Sequence, residues 1–141
     1  MNNQNSFEPK LVVFCCENSG LLAAEQAGKM QLCYPDRVDL IKLPCAGKID
    51  VIYFLKALEK GADGAILLAC HQENCRFLKG NSRAGQRVVQ VKKMLKEIGI
   101  EEERVGIYYI AGNMGHEFVE IVRGMYDKLR EMGPNPGKVI K

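Results

Sequence analysis

A long apolar run is the first thing missing. No stretch approaches the roughly eighteen consecutive apolar residues of a membrane-spanning helix, so none is expected. Met1 to Lys10 is polar and has no apolar core of a secretory leader, so no leader is expected either. Charge of one sign is also scarce. The 20 Lys and Arg against 17 Asp and Glu leave a net +3 without any Lys/Arg run, which gives no footing for nucleic acid. What remains is the composition of an ordinary globular domain: 141 residues, 47% hydrophobic and 26% charged, enough for one core without covalent staples. A cytoplasmic location follows as the expectation, and thiols stay reduced there. Six cysteines in such a chain point to metal binding or catalysis more than to a disulfide framework.

Apolar runs of strand length alternate with helical patterns. Leu11 to Phe14 is β-branched and aromatic, and a helix is expected from Leu21 to Leu32, capped by Asn18 or Ser19. Val38 to Leu43 is the second strand, closed by Pro44. Asp50 can cap a helix over Val51 to Lys60, with Ile52, Leu55 and Leu58 as its apolar face and Gly61 after it. Ala65 to Ala69 is the third strand. A third helix runs from about Ala84 to Ile98, burying Val88, Val91, Leu95 and Ile98, and Gly99 closes it. Val105 to Ile110 is the fourth strand. The last helix is striped by Phe118, Ile121, Val122, Met125, Leu129 and Met132, and Gly133-Pro-Asn-Pro-Gly137 stops it. The expected division is a disordered tail over 1–10, one domain over 11–133 and a second tail over 134–141.

Four βα units in succession predict a doubly wound α/β domain with helices on both faces, a flavodoxin-like parallel sheet of order 2-1-3-4. All strands then end on one edge, where such sheets keep their chemistry. Cys15 and Cys16 follow the first strand, Cys45 the second, and Cys70 and Cys75 the third, so five thiols are expected at that edge. Core packing alone has no reason to choose strand ends, although a cysteine also serves as a small core hydrophobe. Cys33, at the far end of the first helix, is read that way. Thiolates converging from several loops suit an iron–sulfur cluster, and Cys70-x4-Cys75 matches a spacing used by plant-type ferredoxins. Zinc competes, but structural zinc more often takes two knuckle-like pairs. Helix N-termini after each loop offset a cluster's negative charge, and Lys48 and Arg76 either add to that or are plain solvated side chains.

A rival reading uses the same loop. Cys70-x5-Arg76 has the spacing of a tyrosine-phosphatase loop, with a thiolate nucleophile and a phosphate-holding arginine. His71 to Cys75 lacks the glycines that let backbone N–H groups turn inward, and Phe77 stands where a hydroxyl is usual. His71 is read as a surface or supporting residue, and as a ligand only if one thiol stays free.

Phe14-Cys-Cys-Glu-Asn-Ser-Gly20, Pro44-Cys-Ala-Gly-Lys-Ile-Asp50, Lys60-Gly-Ala-Asp-Gly64, Ala69-Cys-His-Gln-Glu-Asn-Cys75 and Gly80-Asn81 together resemble the methyl-viologen-reducing hydrogenase delta subunit family, from about Leu11 to Gly133. The resemblance implies a small [2Fe-2S] protein. Such a protein passes electrons between a hydrogenase, a formate dehydrogenase or another dehydrogenase and a heterodisulfide reductase-type flavoprotein, in anaerobic energy metabolism such as methanogenesis. Carried over, the family's cysteines match Cys15, Cys16, Cys45, Cys70 and Cys75. Many members have Cys-Cys-x-x-Cys where this chain has Ser19, so a ligand there is either serine or reassigned. Enough thiols remain without it, and the expected set is Cys16, Cys45, Cys70 and Cys75, with Cys15 in reserve.

The reading is an electron-transfer subunit with no bond-making chemistry of its own. The alternatives are a cysteine-dependent phosphatase or thiol oxidoreductase using Cys70 and Cys75, and a zinc-bound adaptor. A basic rim of Lys48, Arg76, Lys79, Arg83 and Arg87 is expected to face the partner.

Overall fold

The computed structural model describes residues 8–16, 20–31, 37–43, 50–69, 80–110 and 114–135, with the side chains of 20 and 80–84 excepted. The chain alternates β1 (Leu11–Cys16), α1 (Gly20–Lys29), β2 (Val38–Leu43), α2 (Val51–Glu59), β3 (Gly64–Ala69), α3 (Gly80–Glu97), a short 3-10 turn (Glu102–Arg104), β4 (Val105–Tyr109) and α4 (Gly115–Met132). The strands are all parallel in the order β2-β1-β3-β4. This is the α/β sheet expected from the sequence, with its direction of winding reversed at β1.

That reversal decides which helix covers which face. The outward step from β1 to β2 puts α1 on one side. The return steps from β2 to β3 and from β3 to β4 put α2 and α3 on the other. Two cores result. Val12, Phe14, Ala65 and Leu67 meet Phe54 and Leu58 of α2 and Val88, Val91 and Leu95 of α3. Leu11, Val13, Ile66 and Leu68 meet Ala23, Ala24 and Ala27 of α1 and Phe118, Val122 and Leu129 of α4. Every residue of β1 and β3 is buried, which explains their uninterrupted apolar runs. Phe14 and Phe54 meet edge to face, with ring centroids 5.4 Å apart.

Two apolar stripes differ from the sequence reading. In α2 the buried residues are Phe54 and Leu58, and Ile52 is 49% exposed, so the helix is rotated from the face expected. With Val51, Ile52, Phe54, Leu55 and Leu58 all apolar, spacing alone fits more than one face, and contact with Phe14 selects Phe54. Ile98 is 66% exposed rather than buried. The helix stops at Glu97, and Gly99 at φ +86° swings the chain off the axis before the stripe reaches Ile98. Asp50 does cap α2, its Oδ1 accepting the Ile52 N–H at 3.3 Å.

At the amino edge of the sheet a buried polar network ties the domain's ends together. Asp63, just before β3, accepts the Lys10 N–H at Oδ2 (2.8 Å) and the Asn135 N–H at Oδ1 (2.9 Å). Arg104, fully buried before β4, donates to the carbonyls of Asp63, Gly133 and Pro134 and to Glu101 Oε1 at 2.7 Å. The Asn135 side-chain amide donates to the carbonyls of Leu58 and Ala62. Lys10 and Asn135, set in the tails by the sequence reading, thus bond directly to the residue that opens onto β3, and Pro9 is buried beside them.

Candidate functional site

β1 delivers two adjacent thiols to the carboxyl edge of the sheet, and strand geometry sends them to opposite faces. Cys15 enters the core formed with α1 and α4. It has no exposed surface, and its Sγ lies 3.8 Å from the Val13 carbonyl oxygen, to which the thiol donates weakly. Burial pushes this thiol up to about 12, with the neighbouring Cys16 adding to the shift. Cys15 packs as a small core hydrophobe.

Cys16 faces the other way. It pairs with Leu43 of β2, whose side chain packs against the α2/α3 core. Residues opposite each other in parallel strands share a face, so Cys16 shares that one. Neither cysteine is in a disulfide.

The register sets the level of the edge. Cys16 lies opposite Leu43, the last residue of β2, and Cys15 lies opposite Leu68, one residue before the end of β3. Three strands therefore finish side by side. The chain carrying Cys45 continues from the second, and the chain carrying Cys70 and Cys75 continues from the third. Those three cysteines lie outside the described residues, as do Cys33, Lys48, His71, Arg76, Lys79, Asn18 and Ser19. Arg83 lies in α3 without a described side chain, and Arg87, one turn later, is half-buried. Among the described residues no group of three or more His, Cys, Asp or Glu side chains gathers around a metal position. The donor chemistry present at the edge nonetheless suits a thiolate-held group: a cysteine at a strand end, amid apolar side chains, where α1, α2 and α3 each begin. No described helix is long and apolar enough to cross a membrane.

The sequence reading missed one feature of the α2 side. Tyr53, Lys56, Ala57 and Lys60 line an open groove beside β1 and β2. Their spacing of three, four and seven residues is the signal that was available.

The fold and edge define a class: a single parallel α/β domain whose central strand carries thiols to the carboxyl edge. Within that class the chain belongs to the methyl-viologen-reducing hydrogenase delta subunit family, whose profile matches residues 11–133. The iron-sulfur subunit of the vhu F420-non-reducing hydrogenase from Methanococcus maripaludis is 38% identical over 131 residues, covering 93% of this chain and 98% of that protein. Its namesake from Methanocaldococcus jannaschii is 35% identical with the same coverage. A longer protein from Methanosarcina mazei, one of the subunits of ferredoxin:CoB-CoM heterodisulfide reductase, is 29% identical over 126 residues, which cover 89% of this chain but 16% of its own length.

Proposed function

We propose that this chain is an electron-transfer subunit that holds one [2Fe-2S] cluster at the carboxyl edge of its sheet. Cys16, Cys45, Cys70 and Cys75 are its ligands, and Cys15 is left to the core. It passes electrons from a hydrogenase, a formate dehydrogenase or another dehydrogenase to a heterodisulfide reductase-type flavoprotein, in the cytoplasm. The observation that carries this reading is the register. It ends three strands level beside Cys16, and the chain continues from two of those ends into the segments bearing the other thiols. Relatives named as iron–sulfur subunits, and a heterodisulfide reductase protein that contains a similar stretch, support the cofactor and the partner.

When bound, a cluster supplies one-electron transfer with no covalent change in a substrate. The protein's part is to hold and insulate it. Cys16 presents its sulfur from a rigid central strand. The buried side chains around it exclude water, and the N-termini of α1, α2 and α3 direct positive dipole ends toward the edge.

The test is anaerobic purification followed by visible absorption, iron and acid-labile sulfide analysis, and electron paramagnetic resonance after reduction. About two irons and two sulfides per chain, with a spectrum of the [2Fe-2S] type, are expected. Zinc without sulfide would instead mark an adaptor. A metal-free protein whose turnover of an aryl phosphate is lost in Cys70→Ser would mark a thiol enzyme.

A further inference from the structure

We propose that the groove between α2 and the β1–β2 floor is the seat of an amphipathic helix from a partner protein, one with acidic residues flanking its apolar stripe. The groove holds about 400 Å³ of open space. Its floor is two neighbouring cross-strand pairs, Val12 with Asp39 and Phe14 with Ile41. Its wall is one face of α2 and the residue capping it, Tyr53, Lys56, Ala57 and Lys60.

A sheet floor with a helical wall is a position in a helix layer, and here no described helix occupies it. Because α2 returns from β2 to β3, it lies over the middle of the sheet. On that face of β2 Leu43 packs against the α2/α3 core, while Asp39 and Ile41 are exposed. The consequence shows in the strand: Val38 and Leu40 pack against the opposite core, while Ile41 is 42% exposed. Neighbouring helices in such a layer lie about 8–10 Å apart, so a helix laid beside α2 would meet both floor and wall.

Charge selects the occupant. Lys10 is paired with Asp39 at 3.5 Å. Lys56 and Lys60 make no ion pair among the described residues. The groove thus presents apolar surface at Ile41 and Tyr53 beside two lysines that make no ion pair among the described residues, which complements an acidic amphipathic helix and repels a basic one. The wider surface agrees. Of the eight exposed large hydrophobic residues among those described, Ile41, Ile52, Tyr53, Val89, Met94 and Ile98 all belong to β2, α2, α3 or the residue just after α3. Of the described cysteines, neither Cys15 nor Cys16 lines the groove. Phe14 precedes Cys16 by two residues on the same strand face, so a helix in the groove points along β1 toward the thiol edge.

The test uses the full chain, purified anaerobically with whatever metal it carries, and two synthetic helical peptides of about eighteen residues. Both have the same Leu and Phe stripe. One has a Glu-rich polar face and the other a Lys-rich one. Fluorescence anisotropy should show binding of the Glu peptide alone, weakened by added salt. Lys56→Glu with Lys60→Glu, and separately Tyr53→Glu, should each weaken it about tenfold or more. Visible absorption and circular dichroism should match the wild type, because all three positions lie on the surface. Equal binding of both peptides, no binding of the Glu peptide, or an unchanged affinity in the double variant would overturn the proposal. Sedimentation that finds a dimer, dissociated by Tyr53→Glu, would overturn it in favour of a second copy as occupant.

Discussion

The Asn135 N–H donates to Asp63 Oδ1 at 2.9 Å, a bond that spans 72 positions of the sequence. The other oxygen of the same carboxylate takes the Lys10 N–H at 2.8 Å. One side chain therefore closes the domain at both ends, at the edge of the sheet farthest from the thiols. Arg104 completes the arrangement by donating to the carbonyls of Asp63, Gly133 and Pro134. The result separates two tasks. The amino edge carries the closure of the fold, and the proposed cluster site lies at the opposite edge.

The first prediction follows from that closure. Asp63→Ala leaves two backbone N–H groups without this acceptor, at roughly 1–3 kcal/mol each, so a loss of about 2–6 kcal/mol is expected in urea unfolding. Asp63→Asn should cost nearly as much, since its amide offers one acceptor and turns a donor toward the other N–H. The visible spectrum of folded protein should not change in either. A wild-type unfolding midpoint in both variants would show that the network is incidental.

The sheet order was legible because strands alternating with helical segments admit few topologies. The Asp63 network was not. Asp63 and Asn135 sit in turn-like sequences, Gly61-Ala-Asp-Gly64 and Gly133-Pro-Asn-Pro-Gly137, where such residues ordinarily need no distant partner. The face of α2 was misjudged for a different reason. Helical spacing shows that a stripe exists, but an apolar-rich helix has two of them, and only the Phe14 ring decides between Ile52 and Phe54. At the candidate site the sequence brought Cys15 and Cys16 to the edge together. It took the pleat of the strand to divide them.

Acid titration offers a second prediction. The hydrogen bond from Arg104 Nε holds the Glu101 carboxyl below its ordinary 4.5, with burial opposing. A folded value below the unfolded one means the contribution is complete above the unfolded value and is lost as pH falls through the folded one. Glu101→Gln should therefore be less stable than wild type at about pH 7, and the gap should close as pH drops from about 4.5 downward. The gap should be small, because Glu101 is partly solvated. A gap independent of pH would place the effect in packing rather than charge.

A third prediction tests close packing at the start of β3. A Cβ on Gly64 would lie 2.7 Å from Leu129 Cδ1 and 3.1 Å from the Arg104 carbonyl oxygen. Leu129 is fully buried and cannot swing away. Gly64→Ala is expected to cost about 1–3 kcal/mol, and Leu129→Ala about 2–5 kcal/mol. The double variant should cost clearly less than the two together, because each change relieves the other. Strict additivity in thermal or urea unfolding would mean that the backbone, not Leu129, absorbs the added methyl.

The last prediction separates the adjacent thiols. Cys16 shares its strand face with Leu43 at the level where three strands end, whereas Cys15 is enclosed with α1 and α4. Under the proposed ligand set, Cys16→Ala should lose most of its iron and sulfide and its visible absorption. Cys15→Ala should keep them and lose only about 1 kcal/mol of stability, the cost of a small core cavity. Alkylation supplies a check that needs no metal. A buried, protonated thiol reacts slowly, so in native protein Cys15 should resist iodoacetamide and become reactive only when the chain is unfolded. Iron lost from Cys15→Ala and retained in Cys16→Ala would move the ligand to the α1/α4 face. A cluster there would have to displace side chains that now fill that core.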